Sequence, residues 1–315
     1  MIFFIKYLHK YLIMLDINKY DSFIQGEIEI STAAMFCKLT KILNGKKYLR
    51  YLKFTISKET LNLLNNDICD YYIYKIIDSI KYESEVYKNI KKINILANDC
   101  EIYDNISCFE LLVLLGLEDN EKILCNALCN HLYGYINDID KVFNKFMFNV
   151  IDLPYVIYPS FREYFCKSKS ELWFYIRKTL DIIKFYESIE FMHNDIHLLN
   201  IWIDKINKTP IIYDFNVSYH ESIGDNTYLE KSYGQYNKYI KNLDMVRFLC
   251  FVYNLIHDTS HVKKFYDMIL KENNEKNISI FEYIYSKDYP YYELLKSNVI
   301  RDIDELIQVL DNSIL

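Results

Sequence analysis

The chain has 315 residues, of which 51% are hydrophobic and 25% charged, and it carries a net charge of −6. That is enough apolar material for one large domain or two lobes with true cores, and the acidic balance argues against a globally basic, nucleic-acid-binding surface. Glycine (6) and proline (4) are scarce and tyrosine (31) is abundant, an AT-rich codon bias with no repeat or low-complexity seam, so any lobes are compact rather than strung on a linker.

The N-terminal stretch "MIFFIKYLHKYLIML" is apolar but broken by Lys6 and Lys10, which makes it an amphipathic helix rather than a bilayer span. In "MFCKLTKILNGKKYLRYLKFT" (Met35 to Thr55), Asn44-Gly45 marks a type I′ turn between two β-forming runs. The second run alternates, with Leu49, Tyr51 and Lys53 on one face and Arg50, Leu52 and Phe54 on the other. A lysine on the inner face of a strand needs a partner or an anion. Residues 59–92 read as mostly helical, with Glu83 and Glu85 on different faces of "IKYESEVYKNI". Residues 109–148 also read as helical. "CNALCNH" (Cys125 to His131) places two thiols four apart on a helix, which is a buried helical face rather than half of a zinc site. The eight cysteines contain no CxxC pair, and with no signal peptide the expected compartment is reducing and intracellular.

"PYVIYPSF" (Pro154 to Phe161) reads as a short buried strand ending in a turn, and "ELWFYIRKTLDIIKFYESIE" as an amphipathic helix. That helix runs into "FMHNDIHLLNIWI", which crowds His193, Asp195, His197 and Asn200 into eight residues. Two short strands follow, near Ile201 to Ile203 and Pro210 to Tyr213, joined by the polar turn "DKINK". "YDFNVSYH" comes next, and the last hundred residues read as helical, with "NLDMVRFLCFVYNLI" the most apolar segment.

Taken in this order, the elements resemble the protein-kinase-like superfamily. "HNDIHLLN" is similar to the catalytic loop H-R-D-x-x-x-x-N, with Asp195 and Asn200 five apart, and "YDFN" is similar to D-F-G, with Asp214 fourteen residues after Asn200. The AT-rich composition, the "HNDIH" loop and the compact C-lobe most resemble serine/threonine protein kinases of poxviruses and other large DNA viruses. "DFNVSYH" and "LDMVR" add haspin-like features. The resemblance implies an α+β, two-lobed fold: a β-rich N-lobe with inserted helices over residues 1–158, carrying an insertion near 93–150, and a compact helical C-lobe over 159–315. The catalytic loop would span 191–203 and the DFN segment 213–218, with ATP in the cleft.

The resemblance also implies roles. Asp195 would orient and deprotonate the acceptor hydroxyl. Asn200 and Asp214 would ligate Mg²⁺ (or Mn²⁺) on the ATP phosphates. Lys53 would touch the α- and β-phosphates, held by a helix glutamate, with "YESEVYK" pointing to Glu83 over Glu85. Ser31, Thr32 and Ala33 would stand in for the glycine-rich phosphate loop, in "GEIEISTAAMFCKL", where only Gly26 is a glycine. Tyr158 and Ser160 would border the adenine at a hinge near Pro159 to Phe161. His197 would contact phosphate or order the loop, His193 would pack under the DFN segment, and Asp244 would hold the loop backbone. Two departures stand out. Tyr51 sits where kinases usually have a small residue against the adenine, and Asn216 replaces the D-F-G glycine.

The residues have plainer readings as well: Asp195 and Asn200 as turn caps, Lys53 on an exposed edge, Glu83 on a solvated helix face, Asp214 at a strand end. The expected function is a Ser/Thr protein kinase acting on a protein substrate in the cytoplasm or, if viral, in the host cytoplasm or virion, with no nucleic-acid partner and no transmembrane segment. The alternatives are a pseudokinase scaffold and a small-molecule phosphotransferase of the aminoglycoside/choline type.

Overall fold

The computed structural model describes residues 22–24, 28–30, 34–61, 77–90, 93–94, 97, 99–118, 120–131, 143–155, 157–167, 171–227, 238–287 and 290–314. The N-terminal apolar stretch and Ser31, Thr32 and Ala33 lie outside them. The chain divides into two compact units, Met1–Val156 and Ile157–Leu315. The first is built on an antiparallel sheet and the second is mainly helical, so the protein is a mixed α+β molecule.

The sheet of the first unit contains β1 (Ser22–Ile24), β2 (Ile28–Ile30), β3 (Met35–Leu43), β4 (Lys46–Ile56), β5 (Glu101–Ser107) and β6 (Met147–Pro154). They run in the order β1-β3-β4-β6-β5, with β2 also paired to β3. The hairpin between β3 and β4 turns at Asn44 (φ 51°) and Gly45 (φ 71°), both left-handed as a type I′ turn requires. Its register sets Phe36 opposite Lys53 and Lys38 opposite Tyr51, and β6 lies on the other side of β4 with Leu153 opposite Tyr51.

One face of this sheet, carrying Cys37, Leu39, Leu52 and Phe54, is buried under α3 (Cys108–Leu115) and α4 (Glu121–His131). The partly buried Cys125 and Cys129 pack there too, as apolar side chains do on a helix face. Ser107 and Glu110 close a reciprocal capping box at the start of α3, and Gly116 (φ 66°) ends it. The helices before it are the short α1 (Lys58–Leu61) and α2 (Ser79–Asn89).

The structure moves two expected boundaries. Residues 109–148 are not one helical run, because α3 ends at its cap Gly116 and the chain is already in β6 at Met147. The short strand expected to start at Pro154 lies earlier in the chain, as β6, which ends at Pro154. β6 is buried on both faces, and such a run shows no alternation in sequence. β5 also went unread: Asn105 (φ 53°) interrupts it and its register shifts between Tyr103 and Ile106.

The second unit opens with α5 (Phe161–Lys167) and α6 (Leu172–Ser188), followed by the hairpin β7 (Ile201–Asp204) and β8 (Thr209–Ile212). It closes with α7 (Leu243–Ile256), α8 (His261–Ile269), α9 (Glu275–Tyr285), α10 (Tyr291–Ser297) and α11 (Ile303–Ile314). α6 buries Tyr175, Ile176, Leu180, Ile183 and Tyr186, one stripe at helical spacing. Among the described residues, no helix is long and apolar enough to cross a membrane.

Candidate functional site

In the first unit, the Lys53 ammonium meets Glu83 of α2 at 2.5 Å, with side chains only 6% and 1% exposed. Glu85, two residues on, faces Lys88 at 3.1 Å instead. Of the two glutamates weighed from the sequence, it is Glu83 that the helix turns toward β4. Lys53 is thus a buried half of an ion pair, not an edge-strand surface lysine. Beside it runs a ladder of rings: Phe36 and Tyr51 stack at 5.3 Å, and Tyr51 and Tyr155 at 6.2 Å. The opposite face of the same sheet holds a charge cluster that the sequence reading did not identify. Lys41 and Arg50 both bind Asp152, the latter at 2.6 Å, and Arg50 also donates to the Asp99 carbonyl. The signal was present in Arg50, a lone cation in register with Leu52 and Phe54 on an apolar face.

In the second unit, α6 delivers the chain into the loop, whose backbone is gripped by buried polar side chains. Asp244, in the first turn of α7, accepts the amides of His193 (2.5 Å) and Asn194 (2.9 Å). His193 is fully buried. Its Nδ1 accepts the Asp195 amide at 3.2 Å, which leaves the proton on Nε2 to donate to the Tyr213 carbonyl at 3.0 Å. Burial holds this imidazole below its ordinary pKa, against the opposing pull of Asp244 and Asp195. One neutral ring therefore ties the loop to the residue before Asp214, and it packs on Phe215 at 5.1 Å.

Asn200 donates through Nδ2 to the backbone carbonyl (3.0 Å) and the carboxylate (3.2 Å) of Asp195. His197 lies 3.6 Å from the same carboxylate, while its Nδ1 accepts the Leu199 amide. Asp214 is half-buried at φ 67°. The left-handed residue of the DFN segment is thus the aspartate, not Asn216. Phe215 is buried against Tyr186, Phe191 and His193. The Asn226 amide donates to the carbonyls of Asn216 and Ser218, fixing the segment from below.

Two residues that the sequence reading left out help to hold the loop. Arg247, one turn after Asp244 on α7, donates to the Asn194 carbonyl and at 2.8 Å to its side-chain oxygen. Asn194 itself is left-handed (φ 65°). An aspartate and an arginine three apart in the otherwise apolar "NLDMVR" were the available signal.

At the expected hinge, Ser160 and Glu163 bond reciprocally. The Ser160 amide donates to Glu163 and the Glu163 amide to the Ser160 hydroxyl, the reciprocal cap of α5. The Pro159 carbonyl accepts the Ile203 amide. Both backbone groups are therefore engaged inside the unit. The Tyr158 hydroxyl bonds Asp204, and burial, reinforced by that bond, raises its pKa.

Among the described residues, no group of three or more His, Cys, Asp or Glu side chains is arranged to hold a metal. Mg²⁺ needs no such cage when phosphates come with it, since one or two protein oxygens suffice. With Asn200 Nδ2 engaged on Asp195, its Oδ1 is the hard donor left for a cation, and Asp214 supplies a carboxylate. The donor set fits a metal delivered with a polyphosphate. No family model matches the chain, and no curated protein matches it in sequence.

Proposed function

We propose that the chain is a protein-kinase-like enzyme that transfers the γ-phosphate of ATP to a Ser or Thr hydroxyl of a protein. The observation that carries this reading is the loop itself. Asp195 and Asn200 are bonded to each other, the His193 ring accepts the Asp195 amide, and Asp244 and Arg247 fix the His193–Asn194 backbone just before it. A turn cap needs none of that buried support. A general base does, because its proton transfer depends on being held within hydrogen-bond reach of the acceptor.

In this reading Asp195 takes the proton of the attacking hydroxyl, and Asn200 keeps its carboxylate aimed. The ion pair with Glu83 holds Lys53 at a fixed place on β4, ready to neutralise phosphate oxygens. Asn200 and Asp214 would hold Mg²⁺, which when bound neutralises charge on the phosphates. A second reading, a pseudokinase scaffold, draws support from the aromatic ladder beside Lys53 and the occupied Ser160 amide.

The test is incubation of the full chain with labelled ATP, Mg²⁺ or Mn²⁺, and a panel of proteins and small alcohols. Label on protein Ser or Thr, lost in Asp195→Asn, is the expected result. Label on a small alcohol would point to the small-molecule class. ATP binding without transfer to any acceptor would favour the scaffold.

A further inference from the structure

The face of β4 that carries Lys53 presents an unusual surface. Phe36 on β3, Tyr51 on β4 and Tyr155 just past the end of β6 form a diagonal ladder, with neighbouring ring planes within 22° and 25° of parallel. Diagonal neighbours on a sheet are within reach of aromatic side chains. Each end of the ladder has a cation above it: the Lys53 ammonium 5.9 Å from the Phe36 ring, and the Lys38 ammonium 5.6 Å from the Tyr155 ring. All three rings are half-buried, so each keeps part of its surface exposed.

A row of rings bracketed by ammonium groups suits a ligand that is both aromatic and anionic. Tyr51 lies two residues from Lys53 on the same strand face, a separation of roughly 7 Å. That is the order of the gap between a nucleobase and the phosphates it carries. We infer that Phe36, Tyr51 and Tyr155 form the base platform of the nucleotide site, and that it accepts adenine and guanine nucleotides alike. This rests on the kinase-like reading and specifies its co-substrate.

The argument for tolerance is chemical. Ring faces and edges interact with the π-surface of a base, which every base has, and not with the donor and acceptor pattern on its rim. Discrimination between purines needs polar groups directed at that rim. The strand backbone under the ladder is engaged in sheet pairing. The Tyr155 amide donates to the Leu49 carbonyl.

The experiment measures ATP, GTP and inorganic tripolyphosphate binding to the full chain with Mg²⁺ by calorimetry. Dissociation constants for ATP and GTP within about threefold, with tripolyphosphate at least about tenfold weaker, are expected from base stacking that ignores the rim. Tyr51→Leu, which keeps bulk and removes the π-surface, should weaken ATP and GTP by the same factor, about five- to tenfold or more. Tyr51→Phe should bind like the wild type. ATP bound more than about thirtyfold tighter than GTP would overturn the platform while leaving the kinase reading intact, since polar groups outside the ladder would then be reading the base. Tripolyphosphate binding as tightly as ATP would also overturn it. If no nucleotide binds to the folded chain, the kinase reading fails and the platform with it. The wild-type ratios decide the matter even if a Tyr51 variant does not fold.

Discussion

The loop from Phe191 to Asn200 and the sheet around Lys53 immobilise polar side chains by different means. On the sheet, position comes from the strand: β4 is paired on both sides, and Lys53 needs only one carboxylate, Glu83, to be held. In the loop, beyond the backbone bridge of Met192 to Tyr219, side chains fix the backbone, with Asp244, His193 and Arg247 taking amides and carbonyls that strands would have used. The difference teaches where each region is fragile. A buried ion pair breaks when one charge is removed. A side-chain-held loop breaks when a remote helix residue is removed, even though that residue touches no substrate.

The variants that probe this contrast range from loss of chemistry to small shifts in stability. Asp214→Asn preserves tolerance of the left-handed backbone and removes a charge that would ligate the metal. Phosphoryl transfer should fall by more than about 10³-fold, several kcal/mol of barrier, with the urea midpoint unchanged. Near-normal turnover would remove Asp214 from the mechanism. Asp195→Asn should reduce single-turnover transfer by about 10²–10⁴-fold with ATP affinity retained. A drop in affinity instead of rate would make Asp195 a binding group.

Asp244→Ala tests the remote support. It strips two buried amides of a charged acceptor, a cost of about 3–6 kcal/mol at roughly 1.5–3 per bond, read by urea unfolding. If stability holds and only activity falls, the loop is not held by α7. Lys53→Met takes its lysine partner from the buried Glu83, destabilising by about 3–5 kcal/mol. Adding Glu83→Gln should restore most of that stability but none of the activity. A double variant no more stable than the single would break the contrast between sheet and loop.

The smallest effects are on pH. His193 is held below its unfolded pKa, so as pH falls below that ordinary value the unfolded chain takes up a proton that the native ring resists, and stability drops. Glu187, on α6 and accepting the Asn242 amide, behaves in the opposite sense. Burial pushes its carboxyl up to about 7, so its contribution is fully present below the unfolded carboxyl value and is lost as pH rises through about 7. Glu187→Gln should therefore remove the fall in stability between about pH 4.5 and pH 7 and leave the profile above that window unchanged. A fall of the same size in the variant would mean that another group carries that slope.

The sequence made the loop legible because its partners are local: Asp195, His193 and Asn200 lie within eight residues, and the Asn44-Gly45 turn announces its own hairpin. Lys53 could be placed on a strand face, but its choice of Glu83 over Glu85 depends on the rotation of α2, which alternation in β4 does not encode. Arg247 and the Lys41–Asp152–Arg50 cluster were harder to read, since their partners lie 53, 111 and 102 residues away. The pairing of Tyr51 with Phe36 and Tyr155 needed the strand order as well as the register.

The hairpin turn has a kinetic consequence. A local hairpin closes in about 1–10 μs, long before contacts across a hundred residues can form. The register of β3 on β4 is therefore set first, and it positions Lys41, Arg50 and Lys53 together before Asp152 or Glu83 arrives. A side chain at Gly45 would meet nothing within 4 Å, so Gly45→Ala disturbs only a backbone held at φ 71°. Its penalty, about 1 kcal/mol, should appear almost wholly as slower folding, with the unfolding rate unchanged. The order in which charges become buried in this sheet is written into two residues of a solvent-exposed turn.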